Sequence, residues 1–478
     1  MGSLRTTASS RGTWAALVGL VRSCLSAPSF SIFETLMAGW VTAPGRRTIT
    51  GMICAADPEG RRAHDAYHRF IRAGRWSTNA LWKVLVVHLV AVLAPEGTLV
   101  VDCDDTLYKK SGRKVDGAGS FRDAVRSTRE KVVYATGLNL VVVTLRVRAP
   151  WGAQPIGVPV GVRLHRKGGP TTLDLAQEIV TELASWLPER SFSLCADGAY
   201  ASLARRGLPR TALTSRMRRD AALSQAAPPR TGKPGRPPKK GKRLDNPEEM
   251  ATKLKDDQFA AVRVDVRGTE RDLLAWSRSV LWYTTDSDHL VLLVIVRDPQ
   301  GVMRDDFFFT TDLAASPGDV ASLYAGRWSI ECVNREVKQC LGAEDPQSWK
   351  AKGPERAASP SLWLYAAIWT WYIPNCGTTV TWIMRPWYQK KTAPSFLDAL
   401  ATLRRVLWSE RISAMSSDGP LNPKIIDGLL DVLTRAACAG PSTTLLSRWD
   451  GQDCETPPKV HSENSTNQFE IFRHVLIS

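Results

Sequence analysis

The apolar period of this chain changes at residue 98, and that change limits what it can fold into. Before it, from Trp14 to about Leu93, apolar residues recur at helical spacing. The stretch includes a long run at 80–93 and an aromatic-basic patch, HDAYHRFIRAGRW, at 64–76. Residues 98–103 (TLVVDC) then read as a short strand, followed by a polar loop rich in Lys and Gly. Residues 131–136 and 138–147 predict two strands around a Gly-Leu-Asn turn. Residues 172–187 predict an amphipathic helix, and 191–196 a strand closing on Asp197. The order is strand, strand, strand, helix, strand, with acidic residues ending the first and the fourth.

Beyond this block, residues 227–246 are dominated by Pro, Gly, Lys and Arg and read as a basic linker. Strand-like runs return at 259–266, 289–296 and 303–311, and helical spacing resumes at 317–341 and continues to about 437. The division this suggests is a helical region at 1–95 and an α/β core in two parts at 96–226 and 316–372. A linker and mainly β insertion lie between them at 227–315, and a helical region with a tail fills 373–478.

A chain of 478 residues exceeds one ordinary core, which agrees with several units. Its 63 Lys and Arg against 47 Asp and Glu give a net charge of +16, which favours a polyanionic partner such as DNA. Nine scattered cysteines without a C-x-x-C pair predict free thiols in a reducing cytoplasm and no zinc site. No secretory signal is expected. The apolar stretch at 362–373 is short of the roughly 20 residues that span a bilayer and predicts a buried helix, with no membrane partner. His64 and His68 have no third ligand nearby in sequence and predict no metal site.

The densest motif is Tyr324-Ala-Gly-Arg327-Trp328-Ser-Ile-Glu331-Cys-Val-Asn-Arg335-Glu-Val-Lys338. On one helix Tyr324, Arg327, Arg335 and Lys338 all fall within about 40° of Glu331. A carboxylate among cations can hold a divalent metal beside bound phosphates, or can simply form surface ion pairs. The spacing Y-x2-R-x3-E-x6-K resembles the signature of DDE transposases of the insertion-sequence cut-and-paste class, in the ribonuclease-H-like, retroviral-integrase superfamily. The strand order above resembles the core of that fold, a mixed five-stranded sheet with helices in which strands one and four are neighbours.

The resemblance implies an Asp-Asp-Glu triad of Asp104, Asp197 and Glu331. Asp104 fits the family's apolar strand closing on Asp-x-Thr, with Asp105 as fallback, and Asp197 fits its Asp-Gly-x-Tyr turn. It also implies two Mg2+ ions per site, for which Mn2+ may substitute, and duplex DNA as substrate: terminal inverted repeats and a target. A homodimer on DNA and a cytoplasmic, nucleoid-associated location follow from the same likeness. Tyr324, Arg327, Arg335 and Lys338 become DNA contacts, together with Arg216 and Arg218 in an Arg-rich strand after the second Asp. Arg236, Lys239 and Lys240 resemble a minor-groove Gly-Arg-Pro hook. Trp328 and residues 307–309 are candidates for stacking on an unpaired base.

Two rivals remain. DCDDTL also resembles the first motif of haloacid-dehalogenase-like phosphatases, with Asp102 as nucleophile and Asp104 as acid/base. A transposase-derived DNA-binding protein without catalysis is the other.

Overall fold

The computed structural model describes residues 13–437 except 124–125, 129, 153, 230–237, 267–268, 377–390 and 416–422. Five helices come first: α1 (Trp14–Gly19), α2 (Ala27–Thr42), α3 (Ile49–Ala56), α4 (His64–Ala73) and α5 (Thr78–Leu93). Thr13, Thr48 and Ser77 cap α1, α3 and α5, their hydroxyl oxygens accepting from Ala16, Gly51 and Ala80 N–H groups that the first turn leaves unpaired.

The core follows as β1 (Leu99–Lys109), β2 (Gly119–Arg122), β3 (Tyr134–Arg148), β4 (Pro155–His165), α6 (Thr172–Trp186), β5 (Phe192–Ala196) and β6 (Thr211–Arg216). β3 pairs antiparallel with both β1 and β4, whereas β5 runs parallel to β1 and to β6. The resulting order, β4-β3-β1-β5-β6, is a mixed ribonuclease-H-like sheet, with the first and fourth strands of the expected series side by side. β2 lies beside the start of β3.

One expectation fails in detail, and β4 was not expected at all. Residues 134–148 form one long strand, not two around a turn. Gly137 sits inside it because β1 passes close by: a Cβ there would lie 2.2 Å from the Tyr108 carbonyl oxygen. A glycine that signals a turn in sequence is here a close backbone approach. We expect Gly137→Ala to cost about 3 kcal/mol, since the obstacle is backbone, measurable as a shifted urea midpoint at unchanged slope. β4 escapes a reading by pattern because it carries Pro155, Gly157, Pro159 and Gly161. Pro159 is accommodated at an irregularity in the β3–β4 register, where a missing N–H donor is tolerated.

After α7 (Pro247–Lys253) come β7 (Ala260–Val266), β8 (Thr269–Val280), β9 (Val291–Arg297) and β10 (Asp306–Thr310). β10 pairs antiparallel with β6, and β9, β8 and β7 follow outward, so these strands prolong the core sheet to ten. β8 went unread because its charged start, Thr-Glu-Arg-Asp, interrupts the alternation of a one-sided strand. Residues 307–309 are core: Phe307, Phe308 and Phe309 are buried, so none is placed to stack on a base.

The remaining helices are α8 (Pro317–Gly326), α9 (Trp328–Leu341), α10 (Gly353–Cys376), α11 (Phe396–Met415) and α12 (Pro423–Ala437). Residues 362–373 of α10 are all buried, as expected of a core helix. They pack on α5, where Trp363 Nε1 donates to the Leu81 carbonyl (3.1 Å) and Trp82 Nε1 to Ser359 Oγ (3.1 Å). No single helix among the described residues is long and apolar enough to cross a membrane. α9 lies directly on the sheet because Gly157 leaves room: a Cβ there would stand 2.9 Å from the Ser329 carbonyl oxygen.

Candidate active site

Strand alternation decides which acids of β1 face α9. Asp102 and Asp104 turn toward it, and Asp105 turns the other way, where its carboxylate accepts from Tyr200 Oη at 3.4 Å. Asp102 is fully buried. Arg146 of β3 donates to both its oxygens, Nε at 2.7 Å, and Ser329 Oγ donates at 3.0 Å. An acid so enclosed is a structural ion pair, not a reachable nucleophile, which removes the basis of the phosphatase reading.

Two residues along, Asp104 reaches the first exposed end of this layer. Arg327 stands where α8 ends and α9 begins, its own backbone helical (φ −56°, ψ −23°). Its guanidinium is buried between two acids from opposite ends of the core: it donates to Asp104 Oδ2 at 3.0 Å and to Glu331 Oε1 at 2.7 Å. Asp197 follows β5, the strand parallel to β1, and begins a 3-10 turn with its carboxylate accepting from the Gly198 N–H. Asp104 is raised from 3.8 to about 7: burial is the main cause, Arg327 opposes it, and the charges of Asp105, Asp197 and Glu331 add to it.

The other expected site residues divide. Tyr324 packs on Phe308 (ring centroids 4.5 Å apart), with burial and the charge of Asp197 raising its phenol. Among the described residues its buried hydroxyl has no hydrogen-bond partner. The Lys338 ammonium lies 5.7 Å from the Tyr108 ring centroid; burial lowers its pKa, while Glu344, Asp123 and Asp104 oppose that. Arg216 pairs with Asp306, and its charge reaches Tyr324.

Arg335, however, is exposed and its guanidinium lies against Cys332 Sγ (3.7 Å), away from the acids. Arg218 is held by its neighbour Asp220 at 2.7 Å. Trp328 is half-buried, Lys239 is exposed, and Lys240 lies over the Tyr283 ring (5.5 Å). Arg236 lies outside the described residues.

Pattern reading missed Arg146 and Ser329, which fix Asp102 and thereby the register of α9 on β1. It also missed Lys109 and Lys110, which tie the end of β1 to the Glu344 carboxylate and carbonyl (2.6 and 2.7 Å). No local signal marks such partners, since register alone brings them together.

Residues 21–272, more than half of the chain, match the family described as DDE superfamily endonuclease. The chain belongs to the DDE superfamily endonucleases. That membership makes it a transposase-like nuclease with a DNA substrate, in a family whose members typically use divalent metals. The matched segment contains Asp104 and Asp197 and ends before Tyr324, so the Tyr-Arg-Glu-Lys spacing rests on sequence and geometry. No curated protein matches the chain.

The acids of this endonuclease suit a hard divalent cation in donor type, being carboxylates throughout. Asp104 is raised mainly by its burial, with the charges of Asp105, Asp197 and Glu331 adding to the effect and Arg327 opposing it. Among the described residues no three such groups enclose a metal position as they stand. Arg327 lies between two of them.

A pH dependence follows. A carboxyl near 7 in the folded chain and 3.8 when unfolded binds its proton more tightly folded, so stability falls as pH rises between those values. Asp104→Asn should therefore raise the melting temperature of the metal-free chain at pH 8 and leave it nearly unchanged at pH 4. Calorimetry of both chains at the two pH values checks this.

Proposed function

We propose that this endonuclease is a transposase that cuts DNA at the ends of a mobile element and joins those ends to a target. Asp104, Asp197 and Glu331 would hold two Mg2+ ions, or Mn2+ in their place. Bound there, the ions supply Lewis acidity for an in-line displacement, activating a water or 3′-hydroxyl and stabilising the leaving 3′-oxygen. One observation carries the reading: Asp104 and Glu331, 227 positions apart (331 − 104 = 227), share one guanidinium, while the charge of Asp197 bears on the same Asp104.

The chain's own groups do the remaining work. Tyr324 brings a buried hydroxyl with no hydrogen-bond partner among the described residues, which a phosphate oxygen would satisfy. Lys338, half-buried beside the same acids, positions the flanking strand. The excess positive charge draws the duplex in. The helical region at 1–95 is assigned to end recognition. A homodimer pairing two ends, at the nucleoid, completes the reading.

The test uses the purified full chain with duplexes carrying the sequences that flank its own gene, plus supercoiled target. Expected are nicks at the element ends and joined products that require Mg2+ or Mn2+ and vanish with chelator. Specific end binding without any nick would instead support the inactive DNA-binding descendant.

A further inference from the structure

Arg327 occupies a place that a metal-binding role for Asp104 and Glu331 cannot share with it unchanged. Its guanidinium is 6% exposed and spans the two acids, NH1 to Asp104 and NH2 to Glu331. The backbone holds it at the junction of two helices, its N–H donating to the Tyr324 carbonyl at 3.1 Å and its own carbonyl accepting from Ile330 at 3.1 Å. The side chain is therefore anchored at its root, and only its head can move. The Tyr324 ring centroid lies 5.7 Å from the guanidinium carbon. Five planar donors in a fork that grips carboxylates grip a phosphate equally well.

We infer that Arg327 is a latch coupling metal binding to DNA binding. Without DNA it neutralises Asp104 and Glu331 and keeps a divalent ion out. A DNA phosphate arriving beside Tyr324 draws the guanidinium away and frees the carboxylates for the ion. The device rests on the metal reading proposed above. It makes the nuclease idle until a phosphate is in place, because two ligands that each favour the released head reinforce one another.

The measurement is Mn2+ affinity of the full chain by titration calorimetry, with and without a pre-cleaved end duplex whose 3′-hydroxyl is replaced by hydrogen, so that nothing can be cut or joined. For the natural chain, duplex should tighten Mn2+ by about tenfold or more. In Arg327→Gln, Mn2+ should bind at least about tenfold tighter without DNA, and duplex should add little.

Lys109→Gln, which removes a half-exposed ammonium paired with Asp123 at 2.9 Å, controls for loss of a nearby positive charge. It should leave the coupling intact and raise DNA-free affinity less than Arg327→Gln does. Equal effects of the two variants, or no effect of duplex on the natural chain, would overturn the latch. The natural-chain arm needs no variant, so a poorly folded Arg327→Gln does not spare the idea. Asp104→Asn and Glu331→Gln separate the two levels. If both lose Mn2+ while Arg327→Gln resembles the natural chain, only the latch is wrong. If both retain it, the metal reading fails first.

Discussion

Glu331→Gln is expected to lower DNA nicking by roughly a thousandfold or more while end binding stays within a few-fold. The amide keeps the size and the α9 position of the side chain but no longer offers a full negative charge to a cation. Arg327 would lose one of its two carboxylate contacts and keep Asp104 at 3.0 Å, so the fold around it should hold. Under the proposed function, binding rests on the basic surface and on Tyr324 and Lys338, which the change does not touch. A gel assay of nicked product beside a mobility-shift titration separates the two quantities. Nicking that survives would remove Glu331 from the chemistry and leave the Tyr-Arg-Glu-Lys spacing as a salt-bridged helix.

Asp102→Ala should do the opposite, harming the fold before the chemistry. Arg146 would then be buried without its carboxylate, and breaking one partner of such a pair costs about 3–5 kcal/mol. Replacing both, as Asp102→Leu with Arg146→Met, should recover most of that loss, because the pair's attraction largely offsets its own desolvation. Urea denaturation of the single and double variants gives the comparison. A single variant as stable as the natural chain would mean that Asp102 is not structural, and the phosphatase reading would return to consideration.

These contrasting fates of two acids one strand-step apart show what the sequence could and could not convey. Alternation put Asp105 on the face opposite Asp104, although the strand was expected to end at residue 103 and runs on to Lys109. It could not say that α9 would cover Asp102 and leave Asp104 at the edge, since that depends on where Gly157 lets the helix settle. The order of strands was readable because period 2 and period 3.6 differ, and the resemblance to the ribonuclease-H-like core implied that β1 lies beside β5, as it does. The long β3 and the proline-bearing β4 were not, because there Gly and Pro serve close approach and register change instead of turns.

The helical wheel grouped Tyr324, Arg327, Glu331, Arg335 and Lys338 about one axis, but a wheel carries no partner surface. It gave no sign that Arg327 would turn inward between two acids or that Arg335 would ride on the solvent side. It also assumed one continuous helix, whereas α8 and α9 meet at Arg327. Arg218 and Arg216 were equivalent in sequence. In the fold one is held by a neighbour on the surface and the other is anchored beneath the site by Asp306.

The most direct test of the central claim is the anomalous diffraction of Mn2+ in crystals of the full chain with an end duplex. The account predicts manganese bound by carboxylate oxygens of Asp104, Asp197 and Glu331, with the Arg327 guanidinium moved off Glu331 onto a phosphate. Manganese held elsewhere, or an Arg327 still bridging Asp104 and Glu331 beside bound DNA, would contradict it.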